Sequence, residues 1–177
     1  MRWAAASSPA AAEAIRRISA ECPDVLVGAG TVLTPGQAAE ARDAGARFVV
    51  SPGFNPRVVD RCRELELPVF PGVCTPTDIE AALDRGLRLV KFFPAEPMGG
   101  LAYLKAVAAP YGGVEFIPTG GLTIEAVPRY LAFPPVAACG GSWMAPPAWI
   151  EAGDFTRIRD EVRRAANLAG AARRTGP

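Results

Sequence analysis

The chain contains no histidine. This excludes every mechanism built on a His base or on a Ser-His or Cys-His pair. Lysine is nearly absent as well: Lys91 and Lys105 are the only two, and arginine supplies the rest of the basic charge. The cysteines, Cys22, Cys62, Cys74 and Cys139, form no C-x-x-C pair, and without histidine they complete no zinc site, so reduced thiols and no metal are expected. Nineteen basic residues against eighteen acidic ones leave a formal charge of +1. The arginines are scattered, so neither a nucleic-acid nor a membrane footprint appears, and small molecules are the expected partners. No apolar run approaches a membrane span, and "MRWAAASSPAAAEAI" lacks the basic segment and long apolar core of a signal peptide. A cytoplasmic protein is expected.

Half of the 177 residues are of apolar type, enough for the core of one domain spanning 1–177. Short β-prone runs recur at 24–29, 47–51, 68–72, 88–93, 114–118 and 136–141. Continuous apolar runs bounded by turn residues fit strands buried on both faces, as parallel sheets require. Helix-start signals lie between them: Thr34-Pro35-Gly36-Gln37, Asn55-Pro56 and Thr75-Pro76, with Ser8-Pro9 before an opening helix. A terminal helix is expected from about Phe155, capped by Asp154, with a frayed tail over about 171–177. Repetition of one β-then-α unit predicts an α/β fold of the (β/α)8 TIM-barrel kind, its active face at the C-terminal ends of the strands. A doubly wound open sheet competes, but neither a G-x-G-x-x-G turn nor a P-loop is present. Only about six units can be counted, and the chain opens on a helix.

Lys91 is the least expected residue, because it sits among Leu89, Val90, Phe92 and Phe93 in "GLRLVKFFPAE". On a strand it points opposite to Val90 and Phe92, toward the barrel interior near the strand's end. Burial disfavours the ammonium form, and a neutral amine attacks carbonyl carbon. The alternative is a lysine paired with a buried carboxylate or snorkelling to the surface. "PTGG" (118–121) and "CGGSW" (139–143) follow the last two strands, and paired glycines let backbone N–H groups approach an oxyanion. Each pair alone reads as a tight turn; both together favour a phosphorylated ligand. "GAGT" (28–31) and "SPGF" (51–54) place Thr31 and Pro52 where a pocket wall would stand. Cys74 reads as a passive wall residue, Trp3, Trp143 and Trp149 as packing residues, and Glu96 as solvent-facing.

In this order and spacing, "VGAGTVL", "SPGF", "VKFFPAE", "PTGG", "GGSW" and "EAGDF" resemble the 2-keto-3-deoxy-6-phosphogluconate (KDPG) aldolases, members of which also cleave 4-hydroxy-2-oxoglutarate (KHG). The resemblance runs from about Ala10 to Gly170. It implies a class I aldolase on a (β/α)8 barrel, a homotrimer acting in the Entner-Doudoroff pathway with neither metal nor organic cofactor. Lys91 falls on the family's Schiff-base lysine and Thr31 on the threonine that holds the pyruvate carboxylate. Pro52, Phe93 and Thr119 fall on pocket-wall positions; Gly120, Gly121, Gly141 and Ser142 fall on the phosphate cradle.

The sequence departs from the family at the front, where two strands and a helix are expected to be missing. The family's second strand ends in a segment reading roughly L-E-V-T-L-R, whose glutamate moves protons and whose arginine binds the substrate carboxylate. Counting back from "VGAGT", those positions hold Trp3 and Ser7. One reading is an ordinary aldolase whose front is cut short; the alternative is a remnant that binds phosphorylated sugar acids without turnover.

Overall fold

The computed structural model describes residues 2–5 and 10–175. They divide into two compact units, residues 1–91 and 92–177. The chain passes from one to the other inside a strand.

The first unit begins with β1 (Arg2–Ala5), α1 (Ala11–Glu21) and β2 (Val27–Gly30). It continues through α2 (Pro35–Asp43), β3 (Val49–Val50), α3 (Pro56–Glu64) and β4 (Val69–Phe70). β5 (Gly72–Val73), α4 (Pro76–Leu83) and the start of β6 (Leu89–Phe92) complete it. Strands β1 to β4 pair in sequence order, all parallel, with β1 in register Arg2 to Val27 through Ala5 to Gly30. A strand therefore opens the described chain, which corrects the expected opening helix and the absence of both front strands. "RWAA" has little intrinsic strand preference, and the ladder offered by β2 imposes the conformation. Trp3 pairs with Gly28 on that strand; Ser7, like the Ser8-Pro9 start signal, lies outside the described residues.

The local signals operate as the sequence predicts. Gln37 N–H donates to Thr34 Oγ1 at 3.2 Å while Thr34 N–H donates to Gln37 Oε1, also at 3.2 Å. Thr75 and Asp78 repeat this reciprocal cap on α4, and Asn55 Oδ1 accepts from Arg57 N–H on α3. The helices bury Ile15, Ala38, Ala41, Val58, Val59 and Cys62 against Val27, Ala29, Val49 and Val69 of the strands. The run at 68–72 is broken at Pro71, whose carbonyl accepts from Lys91 N–H at 2.9 Å.

The second unit holds the end of β6, α5 (Gly100–Ala108), β7 (Glu115–Pro118), α6 (Val127–Leu131), α7 (Pro147–Glu151) and α8 (Phe155–Thr175). Thr119 N–H donates to Phe92 O at 2.9 Å, tying β7 to β6. The run at 136–141 is not a continuous strand: it meets β7 only at isolated parallel bridges, Phe116 to Val136 and Thr119 to Gly140. Val136 N–H turns back to Phe133 O, and the Gly140-Gly141 pair has little strand preference. Asp154 caps α8 through Arg157 N–H at 3.1 Å. The helix continues to Thr175, beyond the point where a frayed tail was expected, because Ala171 and Ala172 extend it at little cost. Among the described residues, no helix is long and apolar enough to cross a membrane.

Gly72 fixes one feature that bears on the site. A Cβ there would run into the Pro52 carbonyl, so the turn after β3 lies directly over the start of β5. Gly72→Ala should destabilise the protein by about 2–3 kcal/mol, the usual cost of forcing atoms into packed backbone. Urea unfolding of the two proteins, with equal midpoints as the contrary outcome, checks this.

Candidate active site

In the first unit, Thr31, Pro52 and Lys91 stand at the ends of β2, β3 and β6. Each is carried there by a parallel ladder: Val32 N–H donates to Val50 O, Ser51 N–H to Phe70 O and Lys91 N–H to Pro71 O. Thr31 has φ +57°, a left-handed conformation that β-branched residues rarely adopt. Such strain costs of order 1–3 kcal/mol and persists where the surroundings hold it, often at functional sites. Nothing in the sequence announces it. Ser51, which sequence reasoning passed over, is 2% exposed and donates its hydroxyl to Gly53 O at 2.9 Å, pinning the turn that presents Pro52.

Lys91 is 7% exposed, between Val90 and Phe92, which have no exposure at all. Removal from water disfavours its ammonium form and brings its pKa down to about 8. A usable fraction of the amine is therefore neutral near physiological pH. Cys74, close by in sequence, is the opposite case: burial and then the negative charge of Asp78 push its thiol up. That is the wrong direction for a nucleophilic thiolate, in keeping with a wall residue.

In the second unit, Phe93 follows β6, Thr119, Gly120 and Gly121 follow β7, and Gly141 and Ser142 follow the segment bridged to β7 at Thr119 and Gly140. Gly120 and Gly121 have φ of +99° and +79°. A Cβ on Gly120 would stand 3.1 Å from the Phe93 ring, and one on Gly121 would stand 2.9 Å from Glu96 Cβ. The carbonyls of Thr119 and Gly120 are taken by Ala95 and Glu96 N–H groups at 2.9 and 3.0 Å. The N–H groups of Gly120, Gly121, Gly141 and Ser142 find no protein acceptor among the described residues. Four donors in two glycine turns, one after β7 and one after the segment bridged to it, are what an oxyanion binds.

Thr119 is buried, and its hydroxyl donates to Ile117 O at 3.2 Å, so it secures its own strand end. Trp143 packs as expected: its ring fills the space a Cβ on Gly141 would need. Trp149 lies beneath the Arg157 guanidinium, 4.2 Å from the ring centre. Glu96 departs from its solvent-facing expectation, for its carboxylate accepts from Tyr130 Oη at 2.7 Å and from Arg129. A cavity of about 490 Å³ lined by Glu125, Trp149, Arg157 and Arg164, among others, shares no residue with the predicted site.

Parallel strands that alternate with helices mark an α/β fold of the TIM-barrel-like class. The family can be stated as well. The aldolase model described as KDPG and KHG aldolase matches residues 4–161, and the chain belongs to that family. It is 52% identical over 160 residues to the 2-dehydro-3-deoxy-phosphogluconate aldolase of Treponema pallidum, covering 90% of this chain and 76% of that protein. Among solved structures it is similar to the KDPG aldolase of Legionella pneumophila with pyruvate captured as a covalent carbinolamine. That match has TM-score 0.86 and 36% identity, over 90% of this chain and 77% of the other. It is also similar to the Zymomonas mobilis enzyme with 3-phosphoglycerate, at TM-score 0.85 and 38% identity, over 92% and 76% of the two chains. These relatives favour an aldolase over a non-catalytic binder.

The lowered lysine pKa makes a stability prediction. Between about 8 and the ordinary lysine value of 10.5, the unfolded chain binds a proton at Lys91 that the folded chain does not. Raising pH through that window therefore favours the folded state. Cys62 and Cys139, pushed up to about 11 and 12 by burial, act in the other direction, so the useful quantity is a difference. The unfolding free energy of wild type minus that of Lys91→Met should rise from pH 8 to 10.5; a flat difference would count against a desolvated amine.

Proposed function

We propose that the chain is a class I aldolase that cleaves 2-dehydro-3-deoxy-6-phosphogluconate to pyruvate and glyceraldehyde 3-phosphate, and 4-hydroxy-2-oxoglutarate to pyruvate and glyoxylate. The observation that carries this reading is the burial of Lys91 with its pKa brought down to about 8. The neutral Nζ adds to the 2-oxo carbon to give a carbinolamine, and loss of water gives a protonated imine. The C4 hydroxyl gives up its proton, the C3–C4 bond breaks, and its electron pair moves into the imine. The C4 fragment leaves as the aldehyde, the resulting enamine is protonated at C3, and water releases pyruvate and the free amine.

Thr31 holds the carboxylate of the pyruvate moiety, while Pro52, Phe93 and Thr119 form the walls. The amides of Gly120, Gly121, Gly141 and Ser142 receive the phosphate. The covalent carbinolamine of pyruvate in the Legionella enzyme supports the covalent role of an amine, and the 3-phosphoglycerate of the Zymomonas enzyme supports a phosphorylated ligand. The C4 hydroxyl and the enamine carbon both need a proton carrier, and the resemblance sets the family's glutamate at Trp3, an indole that carries no exchangeable acid in this pH range.

Incubation with pyruvate and borohydride should add one reduced pyruvate to Lys91, at a rate that rises with pH toward a midpoint near 8. Lys91→Arg should form no adduct. Turnover of the phosphorylated substrate should lie about 100- to 10,000-fold below that of a family member carrying the glutamate. Absence of the adduct in folded protein would sink the assignment.

We also propose a homotrimer in the cytoplasm. Cys22, Cys62 and Cys139, thiols outside any disulfide, suit a reducing compartment, and half-exposed Leu33 and Ile150 and the more exposed Phe155 are side chains that a neighbouring subunit would cover. Sedimentation equilibrium should give three times the 18.5 kDa chain mass; a single-chain mass would exclude the trimer.

A further inference from the structure

Glu96 and Tyr130 form a pair that the reaction itself does not use. Tyr130, on α6, is the largest fully buried side chain, and its hydroxyl donates to Glu96 Oε1 at 2.7 Å. Arg129 reaches the same carboxylate at 3.3 and 3.5 Å from a side chain 59% exposed, so it is the weaker, solvent-screened partner. A short hydrogen bond from a buried hydroxyl to a carboxylate is among the stronger ones in a folded protein.

The backbone of Glu96 is fixed just as firmly to the glycine turn. Its N–H donates to Gly120 O at 3.0 Å, and its Cβ fills the space beside Gly121, 2.9 Å from where a Cβ on that glycine would lie. Ala95 N–H, one residue earlier, holds Thr119 O at 2.9 Å. With both carbonyls held by the 95–96 segment, the peptide planes that follow cannot rotate freely. The Gly120 and Gly121 N–H groups are thereby kept away from protein acceptors. Glu96 is also braced from the far side, since a Cβ on Gly100 would meet Glu96 Oε2 and Tyr130 Oη, both at 3.3 Å.

We infer that Tyr130 and Glu96 are positioning residues for the phosphate-binding amides: the buried hydroxyl anchors the carboxylate, Glu96 anchors the Gly120 carbonyl, and the glycine N–H groups are held ready for the anion. The inference rests on reading Gly120 and Gly121 as a phosphate cradle. It makes a prediction that general loss of stability does not, because pyruvate lacks a phosphate and has no group for the cradle amides to hold.

The test uses two probes on the full chain: 3-phosphoglycerate binding by calorimetry, and the pyruvate concentration that half-saturates borohydride trapping. Tyr130→Phe keeps the ring and removes only the hydroxyl. It should weaken 3-phosphoglycerate about tenfold, the loss of one hydrogen bond to a charged group, and leave pyruvate trapping within about twofold. Glu96→Ala should behave the same way, whereas Glu96→Gln, which keeps an acceptor oxygen for Tyr130, should recover most of the affinity. Equal losses for both probes, or none for either, would overturn the positioning role while leaving the cradle intact. A wild-type chain that traps pyruvate but takes up no 3-phosphoglycerate would overturn the cradle itself, and the inference with it.

Discussion

The burial of one amine in an apolar strand sets the terms for the rest of the protein. Taking a charged ammonium out of water is expensive, and the lysine meets that cost by giving up its proton more readily. The neutral amine is then both the form that burial tolerates and the form that attacks a carbonyl. Ordinary surface positions do not need lysine here, since arginine supplies nearly all of the basic charge. Arginine could not replace Lys91, because its guanidinium stays protonated whatever its surroundings. The Val90 and Phe92 flanks and the parallel ladder that carries β6 therefore set the state of the amine as well as the fold.

The second constraint is on the backbone. In a parallel sheet the strand ends on one side expose N–H and C=O groups alike, and an anion needs the former without the latter. The chain resolves this after β7 by letting the 95–96 segment take the Thr119 and Gly120 carbonyls. Positive φ at Gly120 and Gly121 does the rest, and the close approach of Phe93 and Glu96 leaves little room for any other residue at either position.

What could be read from the sequence was what is decided locally. The caps at Thr34, Asn55, Thr75 and Asp154 involve partners three or fewer residues away, and all four form as predicted. Lys91 was legible because a charged residue in a buried strand is a local contradiction. β1 was not, since "RWAA" becomes a strand only through its pairing with β2, more than twenty residues on. The left-handed Thr31 follows from the path the chain must take after β2, and its side-chain type argues against it. The Glu96–Tyr130 pair joins residues 34 apart, with no periodicity or motif to connect them.

The same distinction separates the steps of the reaction. Imine formation depends on desolvation of one side chain, and anion binding depends on the direction of backbone amides. In the proposed reaction both rest on features this chain has: a buried strand end and two glycine turns. Proton transfer to and from carbon is different, because it requires one particular acidic side chain at one point in space. Packing, burial and backbone geometry cannot supply it, and the family resemblance sets Trp3, a residue with no acidic group, at that position. On the proposed reading, the residues present serve binding and imine formation more completely than the proton movements of cleavage. In the reaction proposed above, carbinolamine and imine formation call on the amine, whereas the step most exposed to the lack of an acid is the one in which the C4 hydroxyl must lose its proton as the C3–C4 bond breaks.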